Sequence, residues 1–245
     1  MPYLSQSDIE AIAQRVTTAY RKLPSLCGIP ITKVEPERLA KDLLGLSVDY
    51  HVLSRRGRIL GLTAYGDIGV PIYDDPEHPE YCFVNQKTVL IDKSLIEEAA
   101  NKGRYHFTLT HEICHQIFRM LFPKEYSPDG IRPRIHYCAL PLLDERWEEW
   151  RTNRLASAVL MPVDLVQMNM MRVGLGDKMK ILNSVFAPHD YERFSSMADH
   201  IGVSKKALSI RMKQLGLLEL DYLGAPYDLI NIYPDKGEWE NDAKS

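Results

Sequence analysis

The chain has 245 residues, enough for one substantial hydrophobic core with a small appendage and too few for several large domains. Apolar residues make up 45% and charged residues 26%, as in an ordinary soluble globular protein, and a formal net charge of -3 excludes a global attraction to nucleic acid or to an anionic membrane. Residues 1–8 carry neither a basic stretch nor an apolar signal core, and no run of about eighteen apolar residues occurs, so the expectation is a cytoplasmic protein with no membrane partner.

Along the chain, Ser7-Asp-Ile-Glu10 has the pattern of a capping box, and the amphipathic stretch behind it predicts a helix to about Lys22. Pro36 at the entry and Gly45 at the exit frame a second helix over 37–44. Alternation of Val48, Tyr50 and Val52 predicts a strand over 47–53. Gly57 marks a turn, with 59–65 as the hairpin partner. Short strands are expected at 70–73 and 88–91, separated by an acidic, proline-broken surface loop from Asp74 to Glu80. Residues 94–101 read as a short helix closed by Gly103, and 105–122 as a longer one stopped by Pro123. The stretch 124–143 reads as irregular, and a loop of that length is uncommon unless it is functional or disordered. A helix over 144–160 follows, ending at Met161-Pro162.

From Met197 to Lys213 the pattern is that of a helix-turn-helix: Ala198, Gly202 and Leu208 are suitably spaced, and Gly202-Val203-Ser204 supplies the turn and a helix cap. From Tyr191 to Leu217, Arg193, Lys205, Lys206, Arg211 and Lys213 outnumber Glu192 and Asp199, the kind of local patch that DNA binding needs. Strands and helices come in blocks rather than in strict alternation, so the fold class is α+β with a small antiparallel or mixed sheet. The four cysteines, Cys27, Cys82, Cys114 and Cys138, form no C-x-x-C pair and are expected to be buried free thiols. Trp147 and Trp150 are expected to pack in the core.

His111-Glu112-Ile113-Cys114-His115 fits H-E-x-x-H. Residues four apart on a helix lie one turn above the other, so both imidazoles can share one Zn²⁺. Glu112 beside them can take a proton from water activated by the ion. Chance yields the motif in roughly two in a hundred chains of this composition, which disfavours an accidental His/Glu face. Phe107, Cys114, Phe118 and Leu121 form an apolar stripe, which supports a helix.

Catalytic zinc usually takes a third protein ligand. The tight H-E-x-x-H-x-x-G-x-x-H arrangement is absent, since Phe118 stands where its glycine would be and Leu121 where its third histidine would be. The ligand is therefore expected farther on, among Glu145, Glu148 and Glu149 at the start of the next helix. Glu149, Asn153, Ala156 and Leu160 share one helical face whose lower part is apolar, which turns Glu149 inward towards a cation. Glu148 and His136 are the reserve candidates, and Asn153 is placed to hydrogen-bond a ligand histidine. His136 or Tyr137 in the long loop are candidate donors to an oxyanion.

Phe107-Thr-Leu-Thr-His-Glu-Ile-Cys-His115 and Asn153-Arg-Leu-Ala-Ser-Ala-Val-Leu-Met-Pro162 resemble two stretches of the ImmA/IrrE family of metallo-endopeptidases, R-x-F-T-x-A-H-E-x-G-H and E-x-x-A-N-x-F-A-x-x-L-L-M-P. Residues 39–46 and 88–92 look like that family's leading helix and strand, so the likeness spans about residues 36–217. Cys114, Thr110 and Leu155 depart from the usual Gly, Ala and Phe, and Arg151-Thr152 from the common Glu-Ala. The resemblance implies a zincin-like metallopeptidase domain over 1–185, a helix-turn-helix-like segment over 186–220 and an acidic tail over 221–245. It implies His111, His115 and Glu149 as zinc ligands and Glu112 as the catalytic carboxylate. It also implies a protein substrate, typically a helix-turn-helix repressor. The alternative expectation is a non-proteolytic transcriptional regulator that binds DNA or a repressor through 191–217, with Lys205 and Arg211 among the contacts.

Overall fold

The structure is a computed structural model that describes residues 4–97, 102–124, 135–137 and 145–231, with only the backbone at 135–137, 145 and 146. Among the described residues no helix is long and apolar enough to cross a membrane.

Helix α1 (Gln6–Arg21) is capped by Ser5, two residues before the serine that the sequence pattern picks out. The Ser5 Oγ accepts the Asp8 N–H, and Asp8 reaches back to the Ser5 N–H at 2.8 Å, so an aspartate does here what Glu10 was expected to do. Pro36 opens α2 (Pro36–Arg38), which continues as a π-helical turn over Leu39–Leu43 before Gly45 reverses the chain at φ 62°.

Strands β1 (Ser47–His51), β2 (Gly61–Ala64), β3 (Ile68–Ile72), β4 (Glu80–Val84), β5 (Thr88–Asp92) and β6 (Ile135–Tyr137) make two sheets. The larger runs β1-β5-β2-β6, with β1 parallel to β5 and the other pairs antiparallel. β2 is therefore not the hairpin partner of β1. Thr88-Val-Leu-Ile-Asp92 is buried at all five positions and has no face to offer water, so β5 takes the place between them. β3 and β4 pair as a separate antiparallel ribbon, and β4 begins where the sequence reading has the acidic loop end. β6 falls inside the stretch expected to be irregular, and the rest of that stretch from 125 to 143 lies outside the described residues.

After α3 (Ser94–Glu97) comes the long α4 (Lys102–Leu121), buried from Thr108 to Phe118 on every side. It is thus a core helix rather than one with a single apolar stripe, and Leu121 at its end is exposed. Gly103 lies inside α4 and does not close the preceding helix. A Cβ there would come within 2.8 Å of the Ser204 backbone nitrogen, so the glycine permits a close approach between distant segments. α5 (Glu145–Leu160) packs on α4 and α1, and α4 also packs on β2. Apolar side chains of the three helices, with those of β1 and β5, form the main core, and Leu62 and Ala64 of β2 join Leu53, Val70, Val84 and Leu90 in a smaller one.

α6 (Val163–Val173), β7 (Met179–Leu182), α7 (Pro188–Ile201), α8 (Lys205–Gln214) and β8 (Leu218–Asp221) enclose a second core, with β7 parallel to β8. A short 3-10 helix, Pro226–Ile230, follows. Residues 232–245 of the acidic tail lie outside the described residues. Cys27 is exposed and Cys82 half-buried, contrary to the expectation of burial, because both sit on outer segments. Cys114 on α4 is buried, and Cys138 is outside the described residues.

Candidate metal centre

His111 and His115 leave α4 on the same side, their Nε2 atoms 3.1 Å apart and their rings edge to face. The Glu149 carboxylate reaches across from α5, with Oε2 3.2 Å from Nε2 of His111 and Oε1 3.2 Å from Nε2 of His115. All three residues are buried. Glu149 points inward because Thr152, Ala156 and Val159 on its side of α5 are sealed in the core. Asn153 lies at the edge of that stripe and is exposed on its outer side. Its Oδ1 accepts the Nδ1–H of His111 at 3.0 Å, which leaves the Nε2 lone pair aimed at the other donors. Glu148 stands behind His115, with Oε1 3.9 Å from Nδ1, and not in the donor triangle.

The three donor atoms lie within 4.8 Å of one another, and the group can hold a metal ion. Metal–ligand bonds of about 2.0–2.1 Å at tetrahedral angles put neighbouring donors about 3.3 Å apart. The 3.1 Å between the two Nε2 atoms and the 3.2 Å from each of them to one oxygen of Glu149 are close to that spacing. Lone pairs and a carboxylate facing one another out of water are costly unless a cation joins them.

Glu112 is fully buried, and neither of its carboxylate oxygens has a hydrogen-bond partner among the described residues. Burial, reinforced by the charge of Glu149, pushes its carboxyl well above the usual range. The same burial raises the neighbouring Cys114 thiol.

Two residues that the sequence reading did not single out shape this carboxylate's surroundings. A Cβ on Gly61 would lie 2.7 Å from Oε1 of Glu112 and 2.9 Å from Cγ2 of Thr108, so only glycine at the start of β2 leaves room for the side chain. An isolated glycine in a strand signals a close approach, but not by which group. Gln116, one turn beyond Glu112, donates to Thr63 Oγ1 and to the Ala64 carbonyl at 3.0 Å, tying α4 to β2.

The side chains of Glu145, His136 and Tyr137 lie outside the described residues. The β6 backbone sets His136 opposite Thr63 and Tyr137 opposite Leu62.

Trp147 and Trp150 are not core residues. They are 61% and 39% exposed and meet edge to face at 5.9 Å, because α5 turns its opposite face to the core. In the helix-turn-helix-like segment, Gly202 ends α7 at φ 80° and the Ser204 Oγ caps α8 by accepting the Ala207 N–H. Gly202 is doubly constrained, since its carbonyl accepts the Nδ1–H of His106 at 2.9 Å and a Cβ would meet that ring at 2.6 Å. Arg211 is not a surface cation. Its Nη1 and Nη2 donate to Glu10 at 2.5 and 2.9 Å and its Nε to the Met161 carbonyl, so a DNA contact expected of Arg211 is overturned. Lys205 lies over the Tyr191 ring at 5.2 Å.

No protein-family model matches the chain, and no curated protein matches it.

Proposed function

We propose that this protein is a zinc-dependent endopeptidase with a zincin-like, gluzincin-type centre, acting in the cytoplasm on a regulatory protein such as a helix-turn-helix repressor. One observation carries the reading: His111, His115 and Glu149 converge in a buried triangle, with the carboxylate of Glu112, unpartnered among the described residues, on the same helix as the two histidines. The likeness of 107–115 and 153–162 to the ImmA/IrrE stretches supports the choice of a repressor as substrate. The buried, ion-paired Arg211 weighs against the alternative of a regulator that reads DNA through α8.

Zinc bound by two imidazoles and a carboxylate supplies Lewis-acid chemistry, polarising a peptide carbonyl and making water more acidic. The chain's own residues do the rest. Asn153 holds His111 in the tautomer that presents Nε2. Glu112 takes a proton from the attacking water and gives it to the leaving amine. Gly61 keeps the space that this carboxylate occupies.

The test is co-expression with a helix-turn-helix repressor, taken from beside its gene where one is encoded there, for wild type and Glu112→Gln, with zinc measured in the purified proteins. The expected result is repressor cleavage by the wild type alone and about one zinc per chain in both. Cleavage or derepression by Glu112→Gln would remove the enzyme reading. Less than about half a zinc per chain, purified without chelators, would mark the centre as a relic.

A further inference from the structure

The helix-turn-helix-like segment borders a concave surface that reaches Asn153, behind His111. Between α5 and α8 lies a cavity of about 250 Å³, walled by Phe107 of α4, by Trp150 and Arg154 of α5 and by Ala207 and Ile210 of α8, with Asn153 also lining it. The same Asn153 holds His111, so the cavity is one side chain away from the donor triangle. Trp150 and Ile210 are 39% and 43% exposed and Trp147 beside them is 61% exposed, a cluster of large apolar side chains in water. The guanidinium of Arg154 lies over the Trp150 ring at 5.0 Å, and among the described lining residues no acidic side chain opposes it.

We propose that this cavity is a substrate subsite, taking one bulky apolar or aromatic side chain of a polypeptide that carries an acidic group next to it. The proposal rests on the peptidase reading and names what that centre recognises. Size selects a side chain, because pockets for whole drug-sized ligands run from roughly 300 to 1,000 Å³. The walls select an apolar one, and the charge of Arg154, which Glu10 feels from outside the cavity, selects the neighbouring carboxylate. α8 then contributes a wall for substrate through Ala207 and Ile210.

The experiment uses the full zinc-loaded chain carrying Glu112→Gln, which binds without turnover, labelled with fluorotryptophan and followed by fluorine NMR. The Trp150 resonance is assigned with Trp150→Phe. The probes are acetyl-phenylalanyl-glutamyl amide, its alanyl-glutamyl analogue and its phenylalanyl-lysyl analogue. The expected result is a shift of the Trp150 resonance, with the first probe binding roughly tenfold tighter than the alanyl one and several-fold tighter than the lysyl one. Ile210→Glu should weaken the first probe by roughly tenfold while zinc content and Tm stay unchanged. Equal binding of the three probes, a silent Trp150 resonance or indifference to Ile210→Glu would overturn the subsite. So would a DNA duplex that displaces the first probe. These readouts need no hydrolysis. Probe selectivity without cleavage by the wild type sinks only the peptidase reading, and cleavage without probe selectivity sinks only the subsite.

Discussion

Oδ1 of Asn153 accepts the Nδ1 proton of His111 at 3.0 Å, and that single bond decides which nitrogen of the ring faces Glu149. Removing it with Asn153→Ala frees the imidazole to rotate and to take the other tautomer. Groups that orient a ligand histidine in this way typically carry a tenfold to hundredfold share of metal affinity. Asn153→Ala is expected to weaken zinc binding by about that factor in a competition with a chromophoric chelator, with the unfolding midpoint of the metal-free protein little changed. An unaltered zinc affinity would show that His111 is oriented by packing alone.

Gly61→Ala places a methyl group where Oε1 of Glu112 now lies, 2.7 Å away, with Thr108 closing the other side. Glu112 must swing out or β2 must shift. Overpacking of this kind costs about 1–3 kcal/mol. The expected outcome is a lower Tm together with loss of hydrolysis, and zinc stoichiometry unchanged because the displaced carboxylate is not one of the three donors. Activity retained at the lowered Tm would show that Glu112 need not stay where it is.

How much of this is legible in the sequence depends on the reach of each interaction. His111 and His115 are four residues apart on one helix, so their convergence follows from local geometry, and the inward turn of Glu149 follows from the apolar residues beyond it on α5. Strand order is different. The pairing of β1 with β5 joins residues 47–51 to 88–92, and nothing near either strand announces it. Gly61 looks like an ordinary strand glycine and Gly103 like a helix-end one until Glu112 and the Val203–Ser204 backbone are seen pressed against them. Arg211 reads as a surface cation on a basic helix because its counterion, Glu10, is on the first helix of the chain. Trp147 and Trp150 read as core because tryptophan is usually buried, yet α5 spends its inward face on Glu149 and small residues.

Asp74 gives the fold an acid-sensitive joint. Burial by itself would push its carboxyl up, but hydrogen bonds from His51, the Val52 N–H and Lys93 outweigh that and hold it at about 2. The folded value lies below the ordinary 3.8, so this joint stabilises fully above that pH and the contribution is lost as pH falls from there towards about 2. Chemical denaturation from neutral pH downwards should find Asp74→Asn less stable than wild type at neutrality, with the gap closing through that window. A gap that stays constant down to the acid limit would mean that the carboxylate charge at 74 contributes nothing.

Arg211 and Glu10 form a pair of unequal burial, the guanidinium side chain 1% exposed and the carboxylate side chain 34%. The inequality sets which partner is worse to lose. Glu10→Ala leaves a cation sealed between α1 and α8 with the Met161 carbonyl as its remaining acceptor, and stranding a buried charge costs about 3–5 kcal/mol. Arg211→Met removes the charge itself, keeps most of the apolar stem, and leaves Glu10 where water can reach it, so the loss should be well below that range. Denaturant unfolding of the two variants measures the order directly through their midpoints at a common m value. If Arg211→Met proves as damaging as Glu10→Ala, the reach of the guanidinium to Met161 is what holds α8, and the ion pair is incidental to it.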